Sequence, residues 1–322
     1  MQVAYIIHFI SKMKIKLILF VVAVLFEHRV YSQRMVEPAF EILKSYPSVR
    51  DLTVSSTGDE AYVTVQSYVG DLSAIVSMKK QNDQWQKPEL VSFTGKYQDL
   101  EPFLSPDNLK LFFASNRPLS DSIDDEKDFD IWFVERTNVD AKWGDPVNLG
   151  KTINTDLDEF YPSISSNNNL YFTGLGEGTK GKDDIFFSEW KNGQYSLPVS
   201  LSEAINTEGY EFNAYISPDE QYLVFSGYNR NDGLGSGDLY ISFRDKDKNW
   251  QASKNLGANV NSRYMDYCPF IDVKNKVLYF TSKRTAPKKL ITFESLEEFV
   301  DQVNEYENGL SRIYRVAIED LP

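Results

Sequence analysis

Short apolar runs separated by polar turns follow one another along most of the chain, and these runs are rich in aromatic and β-branched residues. Such residues favour the pleated, half-buried surface of a β-strand. Glu101-Pro-Phe-Leu-Ser-Pro-Asp and Asn213-Ala-Tyr-Ile-Ser-Pro-Asp show the same pattern, and a second aromatic run follows each of them. The pattern returns with a period of roughly 50 to 60 residues, which is typical of the blades of a β-propeller.

Each repeat contains three predicted strands, A to C, and the first four also contain a shorter strand D that follows a Trp or Tyr. We therefore predict an all-β fold, a five-bladed β-propeller of four-stranded antiparallel blades. The predicted blades cover approximately residues 50–98, 99–157, 158–209, 210–264 and 265–322. A six-bladed ring with one degenerate blade is the alternative, but no remaining stretch is long enough to form another blade.

The fifth repeat ends after strand C and lacks a strand D. Residues 35–43, which read Met35-Val-Glu-Pro and then Phe40-Glu-Ile-Leu, resemble the D strands of the other repeats. We therefore predict that an N-terminal strand closes the last blade. This arrangement would hide strand edges that are otherwise open to aggregation.

Residues 295–309 break the strand pattern and predict one helical insertion in blade five. Ser295 and Glu298 form a capping box, and Gly309 is a suitable C-terminal stop. The apolar residues fall on one helical stripe, made of Leu296, Phe299, Val300, Val303 and Tyr306. The stripe favours a helix packed on the flank of the propeller, and a lid or docking element is the alternative.

The first 32 residues have the layout of a secretory signal peptide. Lys14 and Lys16 precede an apolar run over residues 17–26, which is too short to span a bilayer. We predict cleavage after Ser32 and a propeller domain over residues 33–322. The exported protein is then periplasmic or extracellular, without a transmembrane segment. A membrane anchor or a buried N-terminal strand is the alternative.

Composition excludes several kinds of chemistry. Both histidines, His8 and His28, lie in the leader, so the exported domain has no Ser-His-Asp or Cys-His catalysis and no imidazole metal site. The net charge of −13 repels phosphate backbones, so we expect no nucleic-acid partner. Cys268 is the only cysteine, so no internal disulfide supports the fold. Basic proteins and divalent cations fit the acidic charge.

Four repeats carry an acidic residue in the loop that enters strand A. These residues are Asp99, Glu159, Glu211 and Asp266. Strand A is the innermost strand of a blade, so we expect the acids to form a partial ring around one mouth of the central channel. Arginines leave strand B at the same end, because strand B is antiparallel to strand A. They are Arg117, Arg230 and Arg284, and these seven residues are our candidate ligand-binding residues.

Two hypotheses describe this set. In the first, three acids pair with arginines and the pairs only fix loops. The expected pairs are Asp99–Arg117, Glu211–Arg230 and Asp266–Arg284. In the second, Glu159 binds a basic ligand group or Ca²⁺, because Thr173-Gly-Leu-Gly replaces the arginine motif in its blade. Hard cations prefer several oxygen ligands, which makes Asp156, Asp158 and Glu159 the candidate Ca²⁺ site.

A twelve-residue motif over residues 148–159 recurs at 200–211 and 255–266. Its asparagines are expected to cap the turns between strands D and A, and they are Asn154, Asn206 and Asn261. Together with the Ser-Pro-Asp turns and the Ser-x-Arg motifs, this pattern resembles the WD-like propeller repeats of TolB-type bacterial envelope proteins. The resemblance covers nearly all of residues 33–322. It implies a binding or scaffolding propeller, and this chain carries no OmpA-like domain.

We therefore expect a binding or scaffold protein rather than an enzyme, one that recognises a protein or envelope component on the channel face and is a monomer in isolation. The alternative is a carboxylate-based glycoside hydrolase, since five-bladed propellers also include glycosidases. Acids at equivalent repeat positions argue against it, because catalytic acids need different environments. A structural subunit of an envelope complex is a third class, and it predicts an exposed apolar patch.

Overall fold

The structure, a computed structural model, describes residues 36–120, 127–286 and 291–318. The chain divides into two units, Met1–Met35 and Val36–Pro322. The predicted signal peptide lies outside the described residues. Among the helices that are described, none is long and apolar enough to cross a membrane.

The described part is almost entirely β-structure and forms five small antiparallel blades, as the repeats predict. The described residues begin with β1 (Glu37–Pro38) and a 3-10 turn (Glu41–Leu43). Blade one contains β2 (Ser48–Val54), β3 (Glu60–Gln66), β4 (Ser73–Gln81), β5 (Gln84–Trp85) and β6 (Glu89–Leu90). Blade two contains β7 (Asp99–Leu104), β8 (Lys110–Ser115), β9 (Asp130–Glu135) and β10 (Val147–Asn148).

The remaining blades repeat this order. Blade three contains β11 (Glu159–Ile164), β12 (Leu170–Gly174), β13 (Asp184–Ser188) and β16 (Val199–Ser200), with a small hairpin of β14 (Trp190–Lys191) and β15 (Gln194–Tyr195). Blade four contains β17 (Tyr210–Ile216), β18 (Tyr222–Tyr228), β19 (Gly237–Phe243) and β20 (Lys254–Asn255). Blade five contains β21 (Asp266–Asp272), β22 (Val277–Ser282) and β23 (Arg312–Ala317).

The ring closes between the two ends of the chain. Strand β1 pairs antiparallel with β23, with Glu37 opposite Arg315. The A strands of successive blades contact one another, and β21 of blade five contacts β2 of blade one. Phe40 then packs against Trp85 of blade one at 5.4 Å and Tyr279 of blade five at 6.0 Å. The predicted N-terminal closure is confirmed, although β1 is only two residues long.

Each A strand contains a β-bulge at the same place, where its register against strand B shifts. One bulge residue per blade is left-handed, with φ between 48° and 60°, at Asp51, Glu101, Tyr161, Asn213 and Cys268. A bulge turns the side chains after it relative to a regular strand. This change of direction decides which side chains reach the channel.

The insertion in blade five forms helix α1 (Leu296–Val303), and Ser295 caps it by accepting a hydrogen bond from the Glu298 amide at 3.2 Å. The predicted helix is confirmed, but its apolar stripe does not pack on the propeller. Leu296 is 77% exposed, and Phe299, Val300 and Val303 are also exposed. Only Tyr306, beyond the end of the helix, is buried, and its hydroxyl donates to the Ile313 carbonyl at 2.6 Å.

Candidate functional site at the channel mouth

Two of the repeated acids form buried ion pairs with arginines. Arg117 donates to Asp99 at 2.5 Å, and Arg284 donates to Asp266 at 2.8 Å. Each arginine also donates from Nε to the serine of its Ser-x-Arg motif at 2.9 Å and from Nη2 to a backbone carbonyl. Both pairs therefore hold the loop that enters strand A.

The two glutamates accept hydrogen bonds from the turn before them, as Asp266 also does from Ser262. Glu211 accepts from the Thr207 amide at 2.6 Å and lies 3.7 Å from Arg230, so the third predicted pair is present. Glu159 accepts from the amide and hydroxyl of Thr155. Burial raises the pKa of Glu159 to about 7, and Asp130 and Asp128 add to the rise. No ion pair involving Glu159 occurs in the described part of the chain, as the loss of the arginine motif suggests.

The candidate Ca²⁺ site is not assembled. Asp156 is exposed, Asp158 accepts from the Phe129 amide at 2.8 Å, and Glu159 is directed to Thr155. Within residues 36–120, 127–286 and 291–318, no group of three or more His, Cys, Asp or Glu side chains is placed to hold a metal ion.

The side chains of the repeated asparagines bond the backbone of strand C, at the place where a longer strand D would pair with it. The side chain of Asn206 accepts from the Ile185 amide at 3.0 Å and donates to the Ile185 carbonyl at 3.0 Å. Asn154 makes the same two bonds with Ile131, and Asn261 makes them with Leu239. Each asparagine therefore fixes the turn between strands D and A, as expected.

The residues that reach the channel lie two positions after the repeated acids, at the bulges. Arg50 donates to Asp51 at 2.7 Å and to Glu101 at 2.7 Å, and its Nη2 lies 3.6 Å from the Cys268 sulfur. Glu101 also accepts from the Tyr161 amide at 2.7 Å. We call Arg50, Asp51, Glu101, Tyr161, Asn213 and Cys268 the axial cluster.

The axial cluster joins all five blades by hydrogen bonds. The Nδ2 atom of Asn213 lies 3.4 Å from Glu101, the Cys268 sulfur lies 3.4 Å from Asn213, and the Tyr161 hydroxyl donates to the Pro269 carbonyl at 3.1 Å. Burial raises the pKa of Glu101 to about 7, while the Arg50 guanidinium opposes the rise. A single guanidinium therefore stands between two buried carboxyl groups on the axis.

Above the axial cluster lies a cavity of about 350 Å³, which we call the mouth cavity. Arg50, Glu101 and Asn213 belong to its floor, and its other lining residues are Leu100, Phe160, Thr173, Asp183, Phe212, Met265, Tyr267 and Lys283. The lining contains Leu100, Phe160, Phe212 and Tyr267, each directly after a repeated acid, but none of the four acids. The expected ring of acids around the mouth is thus replaced by a ring of apolar side chains with charges among them.

A second cavity of about 400 Å³ opens at the other end of the axis and is mainly apolar. Apolar residues at the ends of the five A strands line it, together with the charged Asp272 and Lys274, and the apolar ones are Val54, Leu104, Ile164, Ile216 and Ile271. Three aromatic rings pack together beside it, with centroids 5.4 Å apart for Tyr215 and Phe270 and 6.3 Å apart for Phe103 and Tyr215. The two ends of the axis therefore differ in chemistry, and charge is concentrated at the mouth cavity.

Sequence reasoning missed Arg50, Glu101, Asn213 and Lys283 as residues of the mouth. A signal was available at the bulge position, where the five repeats carry Asp51, Glu101, Tyr161, Asn213 and Cys268. The residue type at this position differs from blade to blade while the flanking positions repeat, so this residue does not serve the structural role that every blade shares. The repeated acids are alike because their hydrogen-bonding role is alike.

Comparison with known proteins places the fold. No family model matches the chain, and no curated protein matches it. Among solved structures, a BT0996 RGII complex is 11% identical with a TM-score of 0.55, and a glycoside hydrolase is 9% identical with a TM-score of 0.54. Each of these two matches covers 92% of this protein and 96% of the matched one.

TolB from Acinetobacter baumannii is also similar, at 10% identity and a TM-score of 0.46. That match covers 84% of this chain and 54% of the TolB chain, so this chain spans about half the length of that TolB protein. At these identities the likenesses show the fold alone, and that fold is a β-propeller.

Proposed function

We propose that the protein is an exported binding propeller that holds a segment of another protein, or an envelope component, in the mouth cavity. The observation that carries the proposal is the mixed chemistry of this cavity, in which half-buried Phe160 and Phe212 stand beside charged groups. Lys283 is exposed at the cavity and makes no ion pair within the described ranges. Apolar walls with a few fixed polar groups are what ligand sites generally have.

The rigid floor supports this function. Arg50, Asp51 and Glu101 hold one another through charge-assisted hydrogen bonds, so the floor changes little when a ligand arrives. Preorganised groups lower the entropy that binding costs. Export rests on the signal-peptide layout of the first 32 residues.

The test is affinity capture from an envelope fraction with residues 33–322, comparing the unchanged protein with a mouth variant. Phe212→Ala and Lys283→Glu together remove an apolar wall and invert the free charge. We expect a component that the unchanged protein retains and the mouth variant loses. Leu197→Ser, at a position 77% exposed on blade three, is the matched control and should retain the component. Identical retention by all three proteins would contradict the proposal.

A glycoside hydrolase is the second candidate, and one observation favours it. The pKa of Glu101 is raised to about 7, which suits a general acid, and Asp51 provides a second carboxyl group nearby, with Oδ2 free of hydrogen bonds. Against it, Asp51 is fully buried and Arg50 bonds both acids. A hydrolase needs two carboxyl groups in different environments, whereas Asp51 and Glu101 share the guanidinium of Arg50.

Hydrolysis assays distinguish the two candidates. We expect the protein to release no product from aryl glycosides or arabinan oligosaccharides. Turnover that disappears in Glu101→Gln, with the fold retained by circular dichroism, would establish the hydrolase and displace the binding proposal.

A further inference from the structure

Arg312 inverts the charge at a position that the other blades reserve for a carboxylate. The first residue of strand C is aspartate in blades two and three, at Asp130 and Asp184, and Asp238 stands at the same place in blade four. Arg312 occupies this register in blade five, opposite Ser282, just as Asp130 is opposite Ser115. Blade one has the neutral Ala74 at this place, opposite Val65. The inversion is therefore specific to the blade that closes the ring.

The aspartates accept hydrogen bonds from their own blade, whereas Arg312 can only donate. Asp130 accepts from Asn148 at 2.8 Å, and Asp238 accepts from Asn255 at 2.9 Å. Arg312 instead donates from Nη1 to the carbonyls of Pro47 and Ser311, each at 3.1 Å, and from Nη2 to the carbonyl of Lys44 at 3.4 Å. Its Nε–H has no hydrogen-bond partner in the part of the chain that the structure describes.

Arg312 is 2% exposed and has no carboxylate partner within the described ranges. The other buried or half-buried guanidinium groups of the propeller each pair with a carboxylate, and they belong to Arg50, Arg117, Arg136, Arg230, Arg244 and Arg284. Burial lowers the pKa of Arg312 below its ordinary value, because desolvation disfavours the charged form. A buried charge without an opposite charge is costly, so an anion would be favoured here.

A cavity of about 520 Å³ lies beside Arg312, at the join between the N-terminal turn and blade five. We call it the seam cavity. Lys44, Ser45, Tyr46, Tyr68 and Asn304 line it together with Arg312, so the same cavity holds ammonium, hydroxyl and amide donors. The carboxylate that lines the seam cavity, Glu41, is exposed, and Lys44 pairs with Glu305 at 3.1 Å.

We propose that the seam cavity binds the anionic group of a small ligand, with Arg312 as the charge partner. The guanidinium fork suits carboxylates and oxyanions, which accept from two of its N–H groups at once. The volume exceeds that of a single ion and leaves room for a hydroxyl-bearing body such as that of a sugar acid. The site is separate from the mouth cavity and shares none of its lining residues.

The test is thermal unfolding of residues 33–322 in sodium sulfate or sodium glucuronate, at constant ionic strength set with sodium chloride. Glucose serves as the uncharged comparison. We expect a saturable rise in Tm with at least one of the two anions, because a ligand that binds only the folded state stabilises it. The anion that saturates at the lower concentration indicates whether an inorganic oxyanion or a sugar acid is the better fit.

Two variants connect the response to Arg312. Arg312→Gln should abolish the saturable rise, and Arg312→Lys should keep the charge but bind at least tenfold more weakly, because Lys lacks the fork. Arg315→Gln, on the same strand but 45% exposed and paired with Glu37, should respond like the unchanged protein. If Arg312→Gln does not fold, calorimetric titration of Arg312→Lys and Tyr68→Ala with the same two anions replaces it, and both should lose affinity.

Three results would overturn the proposal. In the first, neither anion raises the Tm in a saturable way. In the second, the Tm of Arg312→Gln rises as much as that of the unchanged protein, or the replacement variants keep their affinity. In the third, glucose raises the Tm as much as the anions do. Each would leave Arg312 as a purely structural tie between strand β23 and the Lys44–Pro47 carbonyls.

Discussion

At the scale of single residues, the four repeated acids share a position but not an environment. Asp99 and Asp266 have arginines at hydrogen-bond distance, and Glu211 has one at 3.7 Å. Among the described residues, Glu159 instead accepts from the amide and hydroxyl of Thr155. The pKa of Glu159 rises to about 7 because burial is not offset by a cation. A carboxylate at this position therefore has an arginine partner in three blades and none among the described residues in the fourth, while burial raises the pKa of both Glu159 and Glu211.

Replacing Glu159 by Gln should stabilise the protein above pH 7. The folded-state pKa of about 7 lies above the ordinary value of 4.5, so the contribution of this carboxyl is complete below about pH 4.5 and is lost as the pH rises through 7. After allowance for solvent screening, we expect a gain on the order of 1 kcal/mol at pH 8 and little difference at pH 5. Urea unfolding at both pH values measures it.

Glu211→Gln is the matched comparison, since Glu211 has the same turn contacts but also Arg230. This variant should lose stability at pH 8, because it leaves a half-buried guanidinium without its carboxylate. Equal gains in stability for Glu159→Gln and Glu211→Gln would show that Arg230 does not cause the difference between the two positions.

The elements show what the sequence could and could not predict. Strand order, the D-to-A caps and helix α1 were predictable, because each depends on local patterns that recur or on a capping motif. The channel lining was not, because a bulge adds a residue and moves side chains off the simple alternation of a strand. The exposure of the apolar face of helix α1, which includes Leu296, could not be predicted either, because periodicity shows that a face is apolar but not what covers it.

The asparagines that cap the turns between strands D and A should contribute more to the free energy of unfolding than asparagines in exposed turns. Asn206→Ala leaves the amide and carbonyl of Ile185 without their partner in a fully buried place. Unsatisfied buried backbone groups cost about 1–3 kcal/mol each, so we expect a loss of about 2–4 kcal/mol in urea unfolding. Asn138→Ala, in an exposed turn, should change stability by less than about 1 kcal/mol. A comparable effect at both positions would contradict the capping role.

The bulges should resist β-branched residues. Cys268 has a φ of 51°, a region that β-branched side chains avoid. We expect Cys268→Val to be about 1–3 kcal/mol less stable than Cys268→Ala, although valine is the closer match in volume. Thermal unfolding of the two variants makes the comparison, and a valine variant as stable as alanine would mean that the bulge relaxes.

At the scale of the whole molecule, the N-terminal segment adds a two-residue strand and a few side chains to the direct packing of blade five against blade one. The pairing of β1 with β23 contributes little surface, so most of the closure comes from packing after the strand. Phe40 is 3% exposed between Trp85 and Tyr279, and Leu43 is 1% exposed. The N-terminal segment therefore contributes to the closure of the ring mainly through the buried side chains of Phe40 and Leu43.

Phe40→Ala should disrupt this packing and lower the free energy of unfolding by about 3–5 kcal/mol, the usual cost of removing a buried aromatic side chain. Ile42→Ala, two residues away and 37% exposed, should cost less than about 1 kcal/mol. Chemical denaturation gives both values. Similar losses for the two variants would place the contribution of the N-terminal segment in the backbone pairing instead of in its buried side chains.

Because β1 and β23 come from opposite ends of the described residues, a growing polypeptide cannot finish its last blade before β23 has been made. Such a polypeptide keeps the outer edge of β23 uncovered until both ends are free to meet. A product nicked by a protease within the first described residues would present the same bare edge. That edge would let quality-control factors distinguish an unfinished or damaged copy from an intact one.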